Sequence, residues 1–218
     1  MFSLVEKFQV YAEKLCELFD DRMLVNQHTL IPRPETELLV ELALARIPTQ
    51  AEFRILDLGT GSGAIALAIA SERPRCSITA SDISPQALDV ARANAERLSL
   101  SNVAFHEGPW FTPFRDQCFD IILSNPPYVA EGDPHLAEGD LPAEPRVALV
   151  AGPSGMEMLT TIAQQASRHL KTGGWLLMEH GYDQGTSVAD LLSKANYHHV
   201  RTWRDPAGME RITSGHRD

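Results

Sequence analysis

A predicted strand, a glycine-rich turn and a predicted helix follow one another directly over residues 53–72. Residues 53–58 (FRILDL) have the pattern of a buried strand, and residues 63–72 (GAIALAIASE) have that of a helix. The small residues between them let the backbone turn sharply and approach a ligand closely. This succession is typical of folds in which parallel strands alternate with helices.

The same alternation continues through the rest of the chain. Further strands are predicted at 76–81, 102–107, 119–124 and 175–180, and further helices at 35–47, 85–98, 154–171 and 184–195. Two strand patterns at the C-terminal end, 197–203 and 210–215, are joined by turn residues, so one of them should run antiparallel to the other strands. The sequence therefore predicts a Rossmann-like α/β fold, with a seven-stranded, mostly parallel sheet and an antiparallel C-terminal hairpin.

Two further segments have distinct patterns. Apolar residues recur at helical spacing over residues 3–20, which predicts an amphipathic helix within a short N-terminal helical segment, residues 1–28. The proline-rich stretch 129–153 shows no clear periodicity, and loops of this length in compact domains are often functional lids. We expect residues 29–218 to form one domain, because the chain of 218 residues has an ordinary single-domain length.

Charge and composition exclude several classes of protein. The formal net charge of −10 disfavours a nucleic-acid partner, because proteins that bind the phosphate backbone usually carry a basic surface. No apolar stretch is long enough to span a membrane, and the first residues lack the order of a signal peptide. The three cysteines and eight histidines show no disulfide or metal-ligand spacing. We therefore expect a cytoplasmic protein without a metal, a membrane or a direct nucleic-acid partner.

The glycine-rich turn predicts a cofactor site. Its candidate cofactor-binding residues are Asp57, Gly59, Thr60, Gly61, Ser62 and Gly63. Asp82 ends the second predicted strand, where an acid can hydrogen-bond ribose hydroxyls. The run also satisfies a dinucleotide fingerprint, so an NAD enzyme is an alternative. Asp57 stands where a cationic amino-acid cofactor would lie and, together with the C-terminal hairpin, favours S-adenosylmethionine.

A second motif, Asn125-Pro126-Pro127-Tyr128, follows the fourth predicted strand. A planar nitrogen is a weak nucleophile, and an enzyme can position it by accepting hydrogen bonds from both of its N–H groups. The Asn125 side-chain carbonyl and the Pro126 backbone carbonyl can accept these bonds, and the Tyr128 ring can pack on a planar substrate group. We predict that Asn125, Pro126 and Tyr128 are catalytic, that Pro127 also contacts substrate, and that Asn125 is also a cofactor-binding residue. The motif does not choose between a glutamine amide and an adenine amine.

Several short elements along the chain form a recognisable series. They are residues 29–37 (TLIPRPETE), residues 57–63 (DLGTGSG), residues 125–128 (NPPY), Glu144-Pro145, Glu179-His180-Gly181 and Gln184-Gly185. The series resembles the peptide chain release factor glutamine methyltransferases (the HemK/PrmC family), over roughly residues 24–216. The combination of IPRPETE with NPPY is the most specific part of this resemblance.

The resemblance implies a class I S-adenosylmethionine-dependent methyltransferase domain over residues 29–218. The implied reaction is N5-methylation of the glutamine side-chain amide in the Gly-Gly-Gln motif of bacterial class 1 release factors. The resemblance also implies that Gly59 to Gly63 line the cofactor, that Asp82 holds its ribose and that Trp110 lies against its adenine.

The resemblance assigns the substrate side of the site as well. It implies that residues 125–128 hold the substrate glutamine, with Arg33 and Glu144 as supports of the pocket. His180, beside Glu179 at a predicted strand end, is interpreted as a structural histidine, because no partner ligands for a metal are evident.

Four alternatives remain open. A ribosomal-protein glutamine methyltransferase differs only in its substrate. A nucleic-acid adenine N6-methyltransferase shares the NPPY motif, although the net charge of −10 disfavours it. A non-catalytic cofactor-binding module is motivated by the short N-terminal segment and by Pro109, which has neither an N–H nor a carboxylate where the family usually has an acidic residue. An NAD-dependent oxidoreductase leaves the NPPY motif without a role.

Overall fold

The computed structural model describes residues 23–138 and 141–218. Its strands are β1 (Arg54–Leu58), β2 (Ser77–Asp82), β3 (Val103–Glu107), β4 (Phe119–Ser124), β5 (Val129–Ala130), β6 (Val150–Gly152), β7 (Leu170–Glu179), β8 (His198–Arg204) and β9 (Glu210–His216). Its helices are α1 (Pro34–Leu44), α2 (Ala64–Glu72), α3 (Pro85–Arg97), α4 (Arg146–Leu149), α5 (Glu157–Ala166) and α6 (Gly185–Lys194). The helix predicted over residues 3–20 lies outside the described residues.

Seven strands form one sheet in the order β3-β2-β1-β4-β7-β9-β8. The first five of these pair in parallel, whereas β9 runs antiparallel to both β7 and β8. This arrangement confirms the predicted Rossmann-like sheet with its antiparallel C-terminal hairpin. The hairpin closes the sheet on one side without a crossover helix, because antiparallel neighbours can be joined by a short turn.

Helices cover both faces of the sheet. On one face, α1 and α2 bury apolar side chains such as Leu39 and Ile69 against the strands. On the other face, α5 and α6 bury Ile162 and Leu192 among the side chains of β4 and β7. The strands between these layers are apolar on both faces because both faces are buried.

The direction of winding reverses between β1 and β4, since the chain builds β2 and β3 on one side of β1 and returns to place β4 on the other side. Ligands of open α/β sheets bind outside the carboxyl ends of the strands at such a reversal. The glycine-rich turn follows β1, Asp82 ends β2, and Asn125 follows β4 directly. The topology therefore brings the two sequence motifs to the same edge of the sheet.

Several predicted boundaries were wrong, and the largest errors lie where α5 ends and β7 begins. The helix predicted over 154–171 is α5, which ends at Ala166, and β7 begins at Leu170 rather than at residue 175. Phe119 pairs with Leu170, and the register then shifts before Ile121 pairs with Trp175. An irregular segment of a strand breaks the apolar alternation, so the pattern before Trp175 could not be distinguished from the end of a helix.

The stretch 129–153 has its own local structure. Its two ends, β5 and β6, pair in parallel as a separate two-stranded sheet. Between them lie short turns of 3-10 helix and the single-turn helix α4. Within the described part of the chain, no helix is long and apolar enough to cross a membrane.

Candidate active site

A cavity of about 260 Å³ opens at the carboxyl ends of β1, β2 and β4. Most of the predicted site residues line it, namely Arg33, Gly59, Thr60, Gly61, Ser62, Asp82, Trp110, Asn125 and Pro127. Five predicted residues lie beside the cavity without lining it, namely Asp57, Gly63, Pro126, Tyr128 and Glu144. The two motifs that the sequence separates by more than sixty residues thus share one cavity.

Backbone hydrogen bonds hold the glycine-rich turn in place. The N–H groups of Gly59 and Thr60 both donate to the carbonyl of Ser81 in β2, at 2.9 Å each. Gly59 has a φ of +71°, and a Cβ atom there would lie 3.8 Å from the Trp110 ring. This left-handed backbone conformation favours glycine at the position. It lets the chain turn toward the cavity immediately after the end of β1.

The Asp82 carboxylate organises the same turn. One of its oxygens accepts the Gly61 N–H and the other accepts the Ser84 N–H, each at 2.9 Å. Burial raises the pKa of Asp82, and the backbone hydrogen bonds partly offset this increase. Each carboxylate oxygen has a second lone pair, so Asp82 can also accept hydrogen bonds from hydroxyl groups of a ligand.

Asp57 lies fully buried beneath the turn. Its Oδ2 accepts the Thr60 hydroxyl at 2.6 Å, whereas its Oδ1 is buried without a hydrogen-bond partner. Burial raises the pKa of Asp57 to about 7. A positive group bound near the turn would stabilise the charged carboxylate, since opposite charges favour ionisation. The turn is therefore suited to a cationic ligand.

Trp110 forms an aromatic wall of the cavity and adopts a φ of +44°. Its neighbour Pro109 also lines the cavity and presents only an apolar ring. Ile83, which follows Asp82 and lines the cavity, is 57% exposed. Exposed apolar and aromatic surface of this kind fits a flat ring such as adenine.

The Asn125 side chain forms a hydrogen bond with a residue of α1. Its Nδ2 donates a hydrogen bond of 3.1 Å to the hydroxyl oxygen of Thr36, so its Oδ1 remains available as an acceptor. The Thr36 hydroxyl in turn donates to Oε2 of Glu179 at 2.8 Å. The Tyr128 hydroxyl donates to Oε1 of the same carboxylate at 3.3 Å. One buried carboxylate thus supports two residues of the second motif.

Thr36 and Glu179 were not predicted as functional residues. They are 143 positions apart in the chain, and neither spacing nor residue type connects them. The available signal was a glutamate at the carboxyl end of an apolar strand, since carboxylates are almost never fully buried unless they are paired. His180, next to Glu179, bonds the Gly181 carbonyl at 2.9 Å and the Thr213 hydroxyl at 2.8 Å, as expected for a structural histidine.

Arg33 and Glu144 form an ion pair of 2.8 Å between the residue before α1 and the stretch 129–153. The Glu144 side chain is only 4% exposed, and its second oxygen is buried without a partner. Removing Arg33 would leave a buried charge unpaired, which is costly. The pair therefore holds the stretch 129–153 against the mouth of the cavity.

The buried carboxylate of Glu179 gives a testable pH dependence. Burial raises its pKa to about 7, although hydrogen bonds from Thr36 and Tyr128 act in the opposite direction. An acid with a raised folded-state pKa holds its proton more tightly when folded, so its contribution to stability is present below the unfolded pKa of about 4.3 and is lost as pH rises toward 7. We expect the loss to reach about 3 kcal/mol over this interval.

Urea unfolding of the wild type and of Glu179→Gln between pH 5 and pH 8 measures this loss. Burial also raises the pKa values of Asp57 and Glu41 to about 7, so Glu179→Gln keeps the part of the pH dependence that comes from them. The free energy of unfolding should fall less steeply with pH in Glu179→Gln than in the wild type. Parallel curves would show that Glu179 does not titrate in this range.

Gly155 allows a second prediction. It has a φ of +76°, and a Cβ atom there would lie 2.6 Å from the carbonyl oxygen of Tyr128, which accepts a 3.0 Å hydrogen bond from Gln184. Gly208 has a similar φ of +83° with open space around the Cβ position. Gly208→Ala should therefore cost only the backbone strain of about 1–2 kcal/mol.

Gly155→Ala should cost at least about 1 kcal/mol more than Gly208→Ala, because its methyl group must displace the backbone of the second motif. Chemical denaturation of both variants gives the two free energies of unfolding. Equal losses in the two variants would mean that the contact with Tyr128 relaxes without cost.

Comparison with known proteins gives consistent results. A family model described as a methyltransferase domain matches residues 49–212, a range that contains both motifs. A release factor glutamine methyltransferase from Salmonella typhimurium is 50% identical over 205 residues, which are 94% of this chain and 74% of the relative. The protein of the same name from Escherichia coli K12 is 51% identical over 193 residues, 88% of this chain and 69% of the relative.

A solved structure of a protein with the same type of activity as these relatives has a similar fold. It is that of a release factor-specific protein-(glutamine-N5) methyltransferase from Alicyclobacillus acidocaldarius, which is 27% identical to this chain. The two structures superpose with a TM-score of 0.54, over 90% of this chain and 99% of that one. The similarity in fold therefore extends over most of this chain.

Proposed function

This chain belongs to the release factor glutamine methyltransferases, and from that premise we propose that it transfers the methyl group of S-adenosylmethionine to N5 of a glutamine in a peptide chain release factor. The observation that carries the proposal is that Asn125 and the glycine-rich turn line the same cavity. A methyl acceptor held by Asn125 therefore lies beside a cofactor held by the turn. We expect the glutamine of a Gly-Gly-Gln motif to be the acceptor.

The cavity fits S-adenosylmethionine in charge and in shape. The unpaired buried oxygen of Asp57 favours a positive group near the turn, and Asp82 can accept hydrogen bonds from the ribose hydroxyls. Trp110 presents a flat face to the adenine ring. We propose that Gly59 to Ser62 contact the cofactor directly and that Gly63, which lies outside the cavity, serves mainly to start α2.

The substrate amide enters beside the loop after β4. Bound S-adenosylmethionine supplies a methyl group on a positively charged sulfur. We propose that Oδ1 of Asn125 and the carbonyl of Pro126 accept the two N–H groups of the glutamine amide and align its nitrogen with that methyl group. Pro127 and Tyr128 support the planar amide, while Arg33 and Glu144 hold the adjoining stretch in place.

The bond changes are those of a direct displacement. A bond forms between the amide nitrogen and the methyl carbon, the sulfur–carbon bond breaks, and its electron pair remains on sulfur. The nitrogen loses one proton to solvent, and the products are N5-methylglutamine and S-adenosylhomocysteine. The residues named above contribute by positioning, which can supply several kcal/mol of the rate acceleration.

The test is mass spectrometry of a recombinant class 1 release factor after incubation with this protein and S-adenosylmethionine. A mass gain of one methyl group on the Gly-Gly-Gln glutamine supports the proposal. A release factor with glutamate in place of that glutamine is the control and should gain nothing. The same assay on ribosomal protein and on DNA separates the related activities, and methylation of either instead of the release factor would overturn the proposed substrate.

A release factor as partner also bears on where the protein acts. Release factors work at the ribosome, so we propose that the reaction takes place in the cytoplasm. The acidic net charge of −10 fits a protein substrate better than a nucleic acid, because a phosphate backbone would be repelled.

A further inference from the structure

The hydrogen bonds behind Asn125 form a chain with a defined direction. We propose that Thr36 and Glu179 are positioning residues that fix the orientation of the Asn125 side-chain amide, so that its oxygen faces the nitrogen to be methylated. The proposal rests on the proposed function for the identity of the substrate. It extends that function to two residues that lie outside the NPPY motif.

The direction of the chain follows from the chemistry of its three members. Above its raised pKa of about 7 the Glu179 carboxylate is ionised and can only accept hydrogen bonds, so the Thr36 hydroxyl must donate its single proton to Glu179 over the 2.8 Å contact. The Thr36 oxygen then has no further proton to donate and can only accept a hydrogen bond from Asn125. The Asn125 side chain must therefore turn its NH2 group to Thr36, at 3.1 Å, and its oxygen away from it.

Burial makes this direction hard to reverse. Glu179 is 1% exposed and Thr36 is 4% exposed, so water has little access to replace either hydrogen bond. An unsatisfied polar group at this depth would cost about 1–3 kcal/mol. Glu179 also accepts the Tyr128 hydroxyl, so both carboxylate oxygens are bonded.

The orientation matters because the two ends of an amide have opposite hydrogen-bonding character. With its oxygen toward the cavity, Asn125 accepts an N–H of the substrate amide. With its NH2 group toward the cavity, it would place a donor against a donor and push the substrate nitrogen out of line. Rotation by half a turn has almost no effect on shape, so packing alone cannot choose between the two orientations.

Thr36 gives a direct test because valine has nearly the same shape without the hydroxyl. At pH 8, where Glu179 is mostly ionised, we expect kcat for release factor methylation to fall about 10–100-fold in Thr36→Val, since small misplacements of a reacting group can cost this much. The dissociation constant for S-adenosylmethionine should stay within about threefold, as the glycine-rich turn is unchanged. Thr36→Ser keeps the hydroxyl and should recover kcat to within a few-fold of the wild type.

The matched control is Thr79→Val, which removes a buried threonine hydroxyl from β2, away from the cavity lining. It should leave kcat close to the wild-type value. A fall in kcat as large as that in Thr36→Val would show that the loss reflects general destabilisation, and would overturn the proposal. Glu179→Gln should lower kcat less than Thr36→Val, because a glutamine permits both directions of the chain.

A measurement on the side chain itself separates this inference from the proposed function. In protein labelled with ¹⁵N-asparagine, the Asn125 NH2 signals are assigned by their loss in Asn125→Asp. These hydrogens should exchange with solvent at least about tenfold faster in Thr36→Val than in the wild type or Thr36→Ser, because a hydrogen bond that protects them is lost. This readout does not require turnover.

The outcomes are then distinct. An inactive wild type whose Asn125 signals still respond to Thr36→Val would refute the proposed substrate and leave the positioning role standing. An active wild type whose Asn125 signals and kcat are both unchanged in Thr36→Val would overturn the positioning role alone.

Discussion

Asn125→Ala is expected to lower kcat for release factor methylation by about 10²–10³-fold, the usual effect of removing one hydrogen-bonding group that positions or stabilises the reacting centre. In the proposed complex, the variant loses the side-chain oxygen that accepts a substrate N–H, and only the Pro126 carbonyl remains as an acceptor. Transfer of a labelled methyl group to the release factor, followed under single-turnover conditions, measures the chemical step separately from product release.

Cofactor affinity should change only a few-fold in Asn125→Ala, because the turn and Asp82, which provide most of the proposed cofactor contacts, remain intact. Calorimetric titration with S-adenosylhomocysteine checks this expectation. Asn196→Gly is a suitable control, since Asn196 is exposed and has a φ of +60°, a backbone conformation that glycine adopts readily. A single-turnover rate for Asn125→Ala within tenfold of the wild type would be incompatible with a direct contact between Asn125 and the acceptor nitrogen.

Asp82→Ala is expected to weaken S-adenosylmethionine binding by about 10²-fold. The carboxylate makes two hydrogen bonds to backbone N–H groups and, in the proposed complex, also accepts the ribose hydroxyls. Hydrogen bonds to a charged group contribute about 1.5–3 kcal/mol each, and loss of the ribose contacts alone accounts for most of the effect. The Gly61 N–H would also lose its hydrogen bond to Asp82, which would make the glycine-rich turn less rigid.

Isothermal titration calorimetry with S-adenosylhomocysteine gives the dissociation constants of the wild type and Asp82→Ala. Asp89→Ala is the matched control, since the Asp89 side chain is 77% exposed and its ion pair with Arg92 lies on the surface of α3. Exposed pairs of this kind contribute little. An affinity of Asp82→Ala within a few-fold of the wild type would mean that the ribose does not contact this carboxylate.

The sequence predicted those parts of the site that depend on neighbouring residues. The glycine-rich turn needs small residues at consecutive positions, and β1 and β4 are short apolar runs, so each can be identified within a window of a few residues. Asp82 was identified from its place at the end of a predicted strand. The seven strands and their antiparallel end followed from the same local patterns, because the absence of a helix between the last two strands excludes a parallel crossover.

What the sequence did not predict depends on the third dimension. The link from Asn125 through Thr36 to Glu179 joins three distant segments, and no local pattern records which buried polar groups meet. The pairing of β5 with β6 was also missed, since these strands are only two and three residues long. The start of β7 was missed because a shift in its pairing register masks the alternation of the strand.

The hydrogen bond between Thr36 and Glu179 also has a consequence for biosynthesis. Thr36 and Asn125 are made well before Glu179, which lies at the end of a strand inserted between β4 and β9. Contacts of long sequence separation form late, because the intervening chain must first be ordered. If Glu179 orients the Asn125 amide as proposed, a growing polypeptide holds both motifs before it can set that orientation, and competence requires that β7 has joined the sheet beside β4.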